Sequence, residues 1–213
     1  MEYKRFGGFE KIYPEKLYGT DKWFYGLHPW VDIEDVPALE GSFPGTRLYL
    51  FSINGEVYEP FEQVKNVYIG VPVYSNLSES FGVMRADFEC GTIQLWEWQP
   101  CGEKSMLSEI PLSDCEDLIN VRVAKYPFCI VREDIPEDTL TVLCPFRRTY
   151  ELERNETLDL FDEDRMITSK WIEDPDYREE ILFRRISDGA IIRREKGYMA
   201  EMPDGTFWMM TEQ

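Results

Sequence analysis

Histidine is almost missing from this chain of 213 residues: His28 stands alone. A Cys/His zinc site therefore has too few ligands, and a His-based catalytic pair has at most one member. There is no C-x-x-C pair among the five cysteines, Cys90, Cys101, Cys115, Cys129 and Cys144. An odd count without paired spacing predicts reduced thiols and a cytoplasmic protein, with the cysteines used as small buried apolar residues and Cys101, in a turn, the most exposed. No run approaches the roughly 18 apolar residues that a membrane helix requires, and no apolar leader follows MEYKRFGGFEK. Basic residues are few as well. The net charge of −18 is spread over the chain, about −7 in the first hundred residues and about −11 in the rest, with no basic patch to offset it. Such a surface repels phosphate backbones and anionic lipid, so neither nucleic acid nor membrane is an expected partner. The G-x-S-x-G, P-loop, G-x-G-x-x-G and H-E-x-x-H patterns are all absent, and no cofactor or metal is implied.

What the chain has in quantity is aromatic residues, 15% of the total, within an apolar content of 43%. That composition buries a core, and 14 glycines and 13 prolines scattered along it suit many short strands joined by tight turns. The clearest stretch is 66–112. Four β-branched and aromatic runs, 67–74, 81–88, 92–98 and 105–112, are separated by SNLSES, ECG and QPCGEK, which is turn chemistry. It predicts an antiparallel four-stranded meander. Elsewhere, 46–53 and 56–61 flank Asn54-Gly55, a strong hairpin signal. Further strand pairs flank Tyr126-Pro127 and Pro145. Strands are expected at 157–161, 166–172, 181–186 and 190–194, and a last hairpin at 198–202 and 206–210 turns at Pro203-Asp204-Gly205. Two short N-terminal strands are expected near 3–6 and 9–13. The segment 32–41 reads either as one helical turn or, through Pro37, as an edge strand. No segment of ten or more residues keeps a helical period.

The segments TRLYLFSI, TIQLWEW, TLTVLC and EILFRRI begin at Thr46, Thr92, Thr139 and Glu180, separated by 46, 47 and 41 residues. Read as the third strand of successive meanders, they form a repeat with the period of a propeller blade. Four units end near Lys196, and the strands left at the two termini would make a fifth. In this spacing the chain resembles the small bacterial β-propeller proteins: all-β, a single domain over 1–213, with five blades of antiparallel four-stranded sheets closed by pairing N- and C-terminal strands. The blades share no WD dipeptide, kelch double glycine or S-x-D-x-G-x-T-W box. An antiparallel sandwich or barrel is the competing architecture.

The densest aromatic cluster is Trp23, Phe24, Tyr25, His28 and Trp30, beside Asp32, Glu34 and Asp35. Trp23, Tyr25, His28, Trp30 and Asp32 are the candidate ligand-binding set, since aromatics beside carboxylates stack a sugar or clasp a cation; burial between blades is the structural alternative. No catalytic residue is assigned. The acidic run 159–165 lacks the EF-hand spacing and reads as a solvated turn. The leading expectation is a non-enzymatic binding or scaffold module for a protein, small-molecule or carbohydrate partner. Two others stand beside it: a small glycoside-hydrolase-like enzyme using funnel carboxylates, with Asp32, Asp87 and Asp162 the candidates by position, and an acidic immunity or antitoxin-type protein that meets a basic toxin.

Overall fold

A computed structural model describes residues 3–39, 41–100, 102–115, 117–125 and 127–212. Cys101 and the Tyr126 turn position lie outside the described residues. The β-branched and aromatic runs form strands, and Asx turns join several of them. Asp87 Oδ1 accepts from the Glu89 and Cys90 amides at 3.1 and 2.9 Å, Asp188 Oδ1 from that of Ala190 at 3.0 Å, and Asp204 Oδ1 from that of Thr206 at 2.9 Å.

The strands group into four antiparallel sheets, each a chain-order meander. Blade 1 holds β1 (Glu15–Lys16), β2 (Trp23–His28), β3 (Arg47–Ser52) and β4 (Val57–Tyr58). The ambiguous segment between β2 and β3 is a 3-10 helix, Ile33–Leu39. Blade 2 holds β5 (Val67–Ile69) and β6 (Val73–Ser75), both paired to β7 (Ser80–Asp87), then β8 (Thr92–Trp98) and β9 (Lys104–Pro111). Blade 3 holds β10 (Val121–Ala124), β11 (Cys129–Asp134), β12 (Thr139–Cys144) and β13 (Arg148–Glu151). Blade 4 holds β14 (Glu156–Asp162), β15 (Arg165–Ile172), β16 (Arg178–Arg185) and the 11-residue β17 (Ile191–Glu201), which continues into β18 (Phe207–Thr211). The four repeat segments are the cores of β3, β8, β12 and β16, each the third strand of its sheet.

Neighbouring sheets pack face to face, which is why their strands carry bulk on both sides. Along β7, Phe81 and Val83 face blade 1 against Trp23, Leu48 and Leu50, while Met84 and Ala86 face blade 3 against Val123 and Ile130. Blade 3 meets blade 4 through Val131, Leu140 and Val142 against Leu158, Phe161 and Met166. The result is an all-β propeller of four blades.

The fifth blade is not there, and the terminal strands do not pair. Residues 3–14 contain no strand. Their apolar side chains, Phe6, Phe9 and Ile12, recur every third residue, whereas a strand would send Phe6 and Phe9 to opposite faces. Instead all three cover the outer face of blade 1. Phe6 and Phe9 meet Phe51 edge-on at 5.6 and 5.5 Å, Phe9 meets Tyr49 at 5.2 Å, and Ile12 lies on Gly26. The expected C-terminal hairpin does form, but as an extension of blade 4. β17 pairs first with β16 and then with β18, switching at Gly197. There φ is +133°, and a Cβ would stand 1.9 Å from the Met210 carbonyl oxygen, so only glycine fits. The hairpin lays Met199 and Phe207 against Leu160, Ile167, Ile181 and Phe183, the outer face of blade 4. Its tip reaches the axis, where Glu201 abuts Gly19 and Gly205 lies beside Asn76. Asn76 Nδ2 donates to the Gly19 carbonyl at 2.5 Å, tying blades 1 and 2 at that point.

Asn66, Asn120 and Asn155 each immediately precede the inner strand of a blade and sit at positive φ, 59°, 57° and 62°. Asparagine tolerates that conformation best among residues with a Cβ. Each side chain reaches the far end of the neighbouring strand: Glu89 Oε1, just past β7, at 2.9 Å, the Glu133 carbonyl near the end of β11 at 3.3 Å and the Trp171 carbonyl near the end of β15 at 3.4 Å. This is a blade motif that the spacing of third strands did not expose.

Candidate functional site

The inner strands and their approaches surround a central funnel of about 910 Å³. Blade 1 contributes Glu15, Lys16, Leu17 and Tyr25; blade 2 contributes Val71, Pro72 and Val73; blade 3 contributes Arg122, Val123 and Lys125. Asp159 comes from blade 4, and Glu201 and Pro203 come from the hairpin tip. The walls are mixed: an aliphatic part, including Leu17, Val71, Pro72, Val73 and Val123, alternates with six charged side chains, Glu15, Lys16, Arg122, Lys125, Asp159 and Glu201.

Those charges are not equivalent. Lys125 is only 5% exposed and is paired with Glu201. It also donates to the Tyr74 carbonyl at 3.3 Å. Arg122 Nη2 donates to Glu133 Oε1 at 2.6 Å and to the Leu158 carbonyl at 2.8 Å. Both bases thus have carboxylate partners inside the protein. Glu15 Oε2 accepts from the Tyr25 hydroxyl at 2.9 Å and has no ion pair among the described residues. Burial, reinforced by that acceptor, raises the Tyr25 phenol well above its ordinary pKa.

Asp159 stands apart. The β14–β15 register steps from Leu158↔Thr168 to Leu160↔Ile167, leaving Asp159 as the extra residue of a bulge. Bulges of this kind re-aim a side chain. Here the carboxylate lines the funnel and, among the described residues, accepts only from Ser169 Oγ, at 2.5 Å. Burial raises its pKa to about 6, with Glu133 and Glu179 adding to the rise; the Ser169 hydrogen bond and the Arg122 charge oppose it. Native Asp159 holds its proton more tightly than the unfolded chain does, so its contribution to stability is complete below the unfolded pKa and is lost as pH rises through about 6.

The five candidate residues from the sequence do not form one site. Tyr25 alone lines the funnel. Trp23 is 9% exposed and locked between blades 1 and 2, its ring 5.1 Å from Phe81, 5.8 Å from Tyr58 and 6.4 Å from Tyr74. His28, at the far end of β2, lies in a cleft between the N-terminal segment and blade 1 with Glu10, Lys11 and Arg47. Trp30 is 56% exposed. Asp32 is exposed, and with Glu34 it adds to the burial that pushes the Tyr68 phenol up to about 12. The separation is testable. Trp23→Ala should cost about 3–5 kcal/mol in urea unfolding, whereas Trp30→Ala should cost less than about 1 kcal/mol.

Asp87 and Asp162, the other carboxylates favoured by position, are also outside the funnel. Asp87 caps its turn and pairs with Arg85 at 3.6 Å, and Asp162 pairs with Arg165. Asp159 opens the acidic run 159–165, whose reading as a solvated turn fails here, since it lies within β14 and lines the funnel; Glu15 and Glu201 carry no expected role. Nothing local marks the three as a site, because residues 15, 159 and 201 meet only once four sheets are assembled.

No protein-family model matches the chain, and no curated protein matches it significantly. Among solved structures, the crystal structure of the WD40 β-propeller domain of Doa1 is similar over 90% of this chain and 72% of its own, with 10% identity and a TM-score of 0.34.

The described cysteines are all free. Cys115, Cys129 and Cys144 are buried, and burial pushes the Cys129 thiol up to about 12, which keeps it unreactive. Cys90, at the β7–β8 turn, is the exposed one. Among the described residues no cluster of His, Cys, Asp or Glu is arranged to hold a metal ion, and no helix is long and apolar enough to cross a membrane.

Proposed function

We propose that this chain is a non-enzymatic binding module that holds its ligand at the propeller axis. One observation carries the reading: a funnel of about 910 Å³ to which every blade contributes, with an aliphatic part and six charged side chains in its walls. That size and that lining are what small-molecule sites have. The two clefts under the N-terminal segment are smaller, about 520 and 460 Å³, and each borders blade 1 alone. Free thiols at Cys90, Cys115, Cys129 and Cys144 fit a reducing compartment such as the cytoplasm.

Val71 tests the site. It lines the funnel and is 43% exposed, so a larger side chain there intrudes on the funnel and not on the core. The wild-type protein and Val71→Trp are incubated with a small-molecule extract, washed, and their retained compounds identified by mass spectrometry. The expected result is a compound retained by the wild type and lost from Val71→Trp, with the melting temperature unchanged. Equal retention by both proteins would move the site away from the axis.

A carbohydrate-active enzyme is the second reading, and Asp159 is what favours it. A carboxyl that keeps its proton up to about pH 6 has the character of a general acid. Asp159-dependent hydrolysis of chromogenic glycosides would establish this reading over the first.

A further inference from the structure

We infer that the funnel takes a small organic cation, an alkylammonium or alkylguanidinium, whose charge is met by the Asp159 carboxylate. The inference rests on the funnel being the binding site and names the chemistry of what enters it.

Charges along the funnel wall are unevenly matched. Lys125 is matched by Glu201, and Arg122 by Glu133, so neither base is left for an anionic ligand. Lys16 lines the funnel without an ion pair among the described residues, but it is exposed and solvated. On the acidic side, Asp159 and Glu15 both lack a cationic partner among the described residues. Asp159 is the more constrained. The bulge in β14 turns it to the wall, and its one donor among the described residues is the Ser169 hydroxyl. Around it stand Ser169 on β15, Arg122 on β10, Glu133 on β11 and Glu179 on β16. Arg122 is the only cation among these, and it is already bonded to Glu133. A carboxylate in that setting is held back from ionising, and an arriving cation supplies what the fold omits. The aliphatic stretch of Val71, Pro72, Val73 and Val123 fits the carbon chain behind the charge. The −18 charge of the whole chain enriches cations near the funnel mouth.

Proton linkage gives the proposal a signature of its own. Free Asp159 titrates at about 6, and a bound cation lowers that value, so binding in mildly acidic buffer expels a proton. Affinity therefore rises with pH, by about tenfold between roughly pH 5 and pH 7.5 for a shift of about two units.

The experiment is isothermal titration calorimetry with putrescine, butylguanidine, butanediol and succinate, at the two pH values and in buffers of differing ionisation enthalpy. One or both cations are expected to bind, the diol and the dicarboxylate to give no heat, and protons to be released at the lower pH. Asp159→Asn keeps an acceptor for Ser169 and removes the charge. It is expected to fold, to lose about tenfold or more in cation affinity, and to lose the pH dependence. Cation binding that is unchanged in Asp159→Asn, that survives Val71→Trp, or that is matched by butanediol or succinate would overturn the assignment, and so would the absence of binding by both cations. The funnel itself is judged separately. A compound that Val71→Trp displaces but that carries no positive charge preserves the funnel as the binding site and removes the cation.

Discussion

Replacing Glu156 with alanine is expected to lower the unfolding free energy by about 3–5 kcal/mol. Glu156 starts β14 with its side chain completely buried, and its partner Arg184, on β16, is 6% exposed at the side chain. Arg184 Nε and Nη2 donate to the two carboxylate oxygens, each at 2.6 Å, the fork geometry in which an Arg–carboxylate pair is strongest. Thr168 Oγ1 donates to Oε1 at 2.5 Å and the Glu153 amide to Oε2 at 2.7 Å. Arg184 Nη1 finishes the network on the Gly189 carbonyl at 2.8 Å and that of Glu151 at 3.2 Å. Truncating the acid strands a guanidinium where water does not reach. Removing both charges has a different consequence. Glu156→Leu with Arg184→Met trades the pair for apolar groups of similar length and should recover most of the loss, since a buried pair repays little more than its own desolvation. Urea unfolding of the single and double variants makes the comparison. A loss below about 1 kcal/mol for Glu156→Ala would mean that the pair is not sealed from solvent.

Deleting residues 197–213 is expected to make the protein aggregate. The hairpin contributes more than its own strand pairing. It covers Leu160, Ile167, Ile181 and Phe183, which without Met199 and Phe207 become an apolar sheet face open to water. It also supplies Glu201, the partner of the nearly buried Lys125. Size-exclusion chromatography of the truncated chain reads the first effect. Glu201→Gln, which keeps the hairpin and drops only the charge, reads the second, as a lower melting temperature with no aggregation. A truncated protein that elutes as a monomer and melts within a few degrees of the parent would make the hairpin an appendage and not the cover of blade 4.

The hairpin also shows where the sequence is sufficient. Tyr198 to Met210 announces it by strand residues on both sides of Pro-Asp-Gly, all local chemistry, and it forms. The meanders are legible for the same reason: β-branched and aromatic runs between turn residues are decided within a few positions, so TIQLWEW and TLTVLC reveal both strand identity and period. The partner of that hairpin is another matter. Whether it joins the N-terminal segment or caps blade 4 depends on which apolar face lies opposite it, and Phe6, Phe9 and Ile12, at a spacing of three, go to blade 1. Blade number therefore follows from tertiary packing and not from strand count. The site lies further still from the sequence. The sequence marks the aromatic cluster from Trp23 to Trp30, but Trp23 and Tyr25 share one face of β2 and part only in depth, Trp23 sealed between blades and Tyr25 reaching the funnel, while Trp30 lies beyond the end of the strand and stays outside. The local signal at Asp159, the start of an acidic run, points to a solvated turn and not to the funnel. One extra residue in a ladder turns Asp159 to the wall, four sheets bring Glu15, Arg122, Lys125 and Glu201 to the same funnel, and burial makes its charge costly.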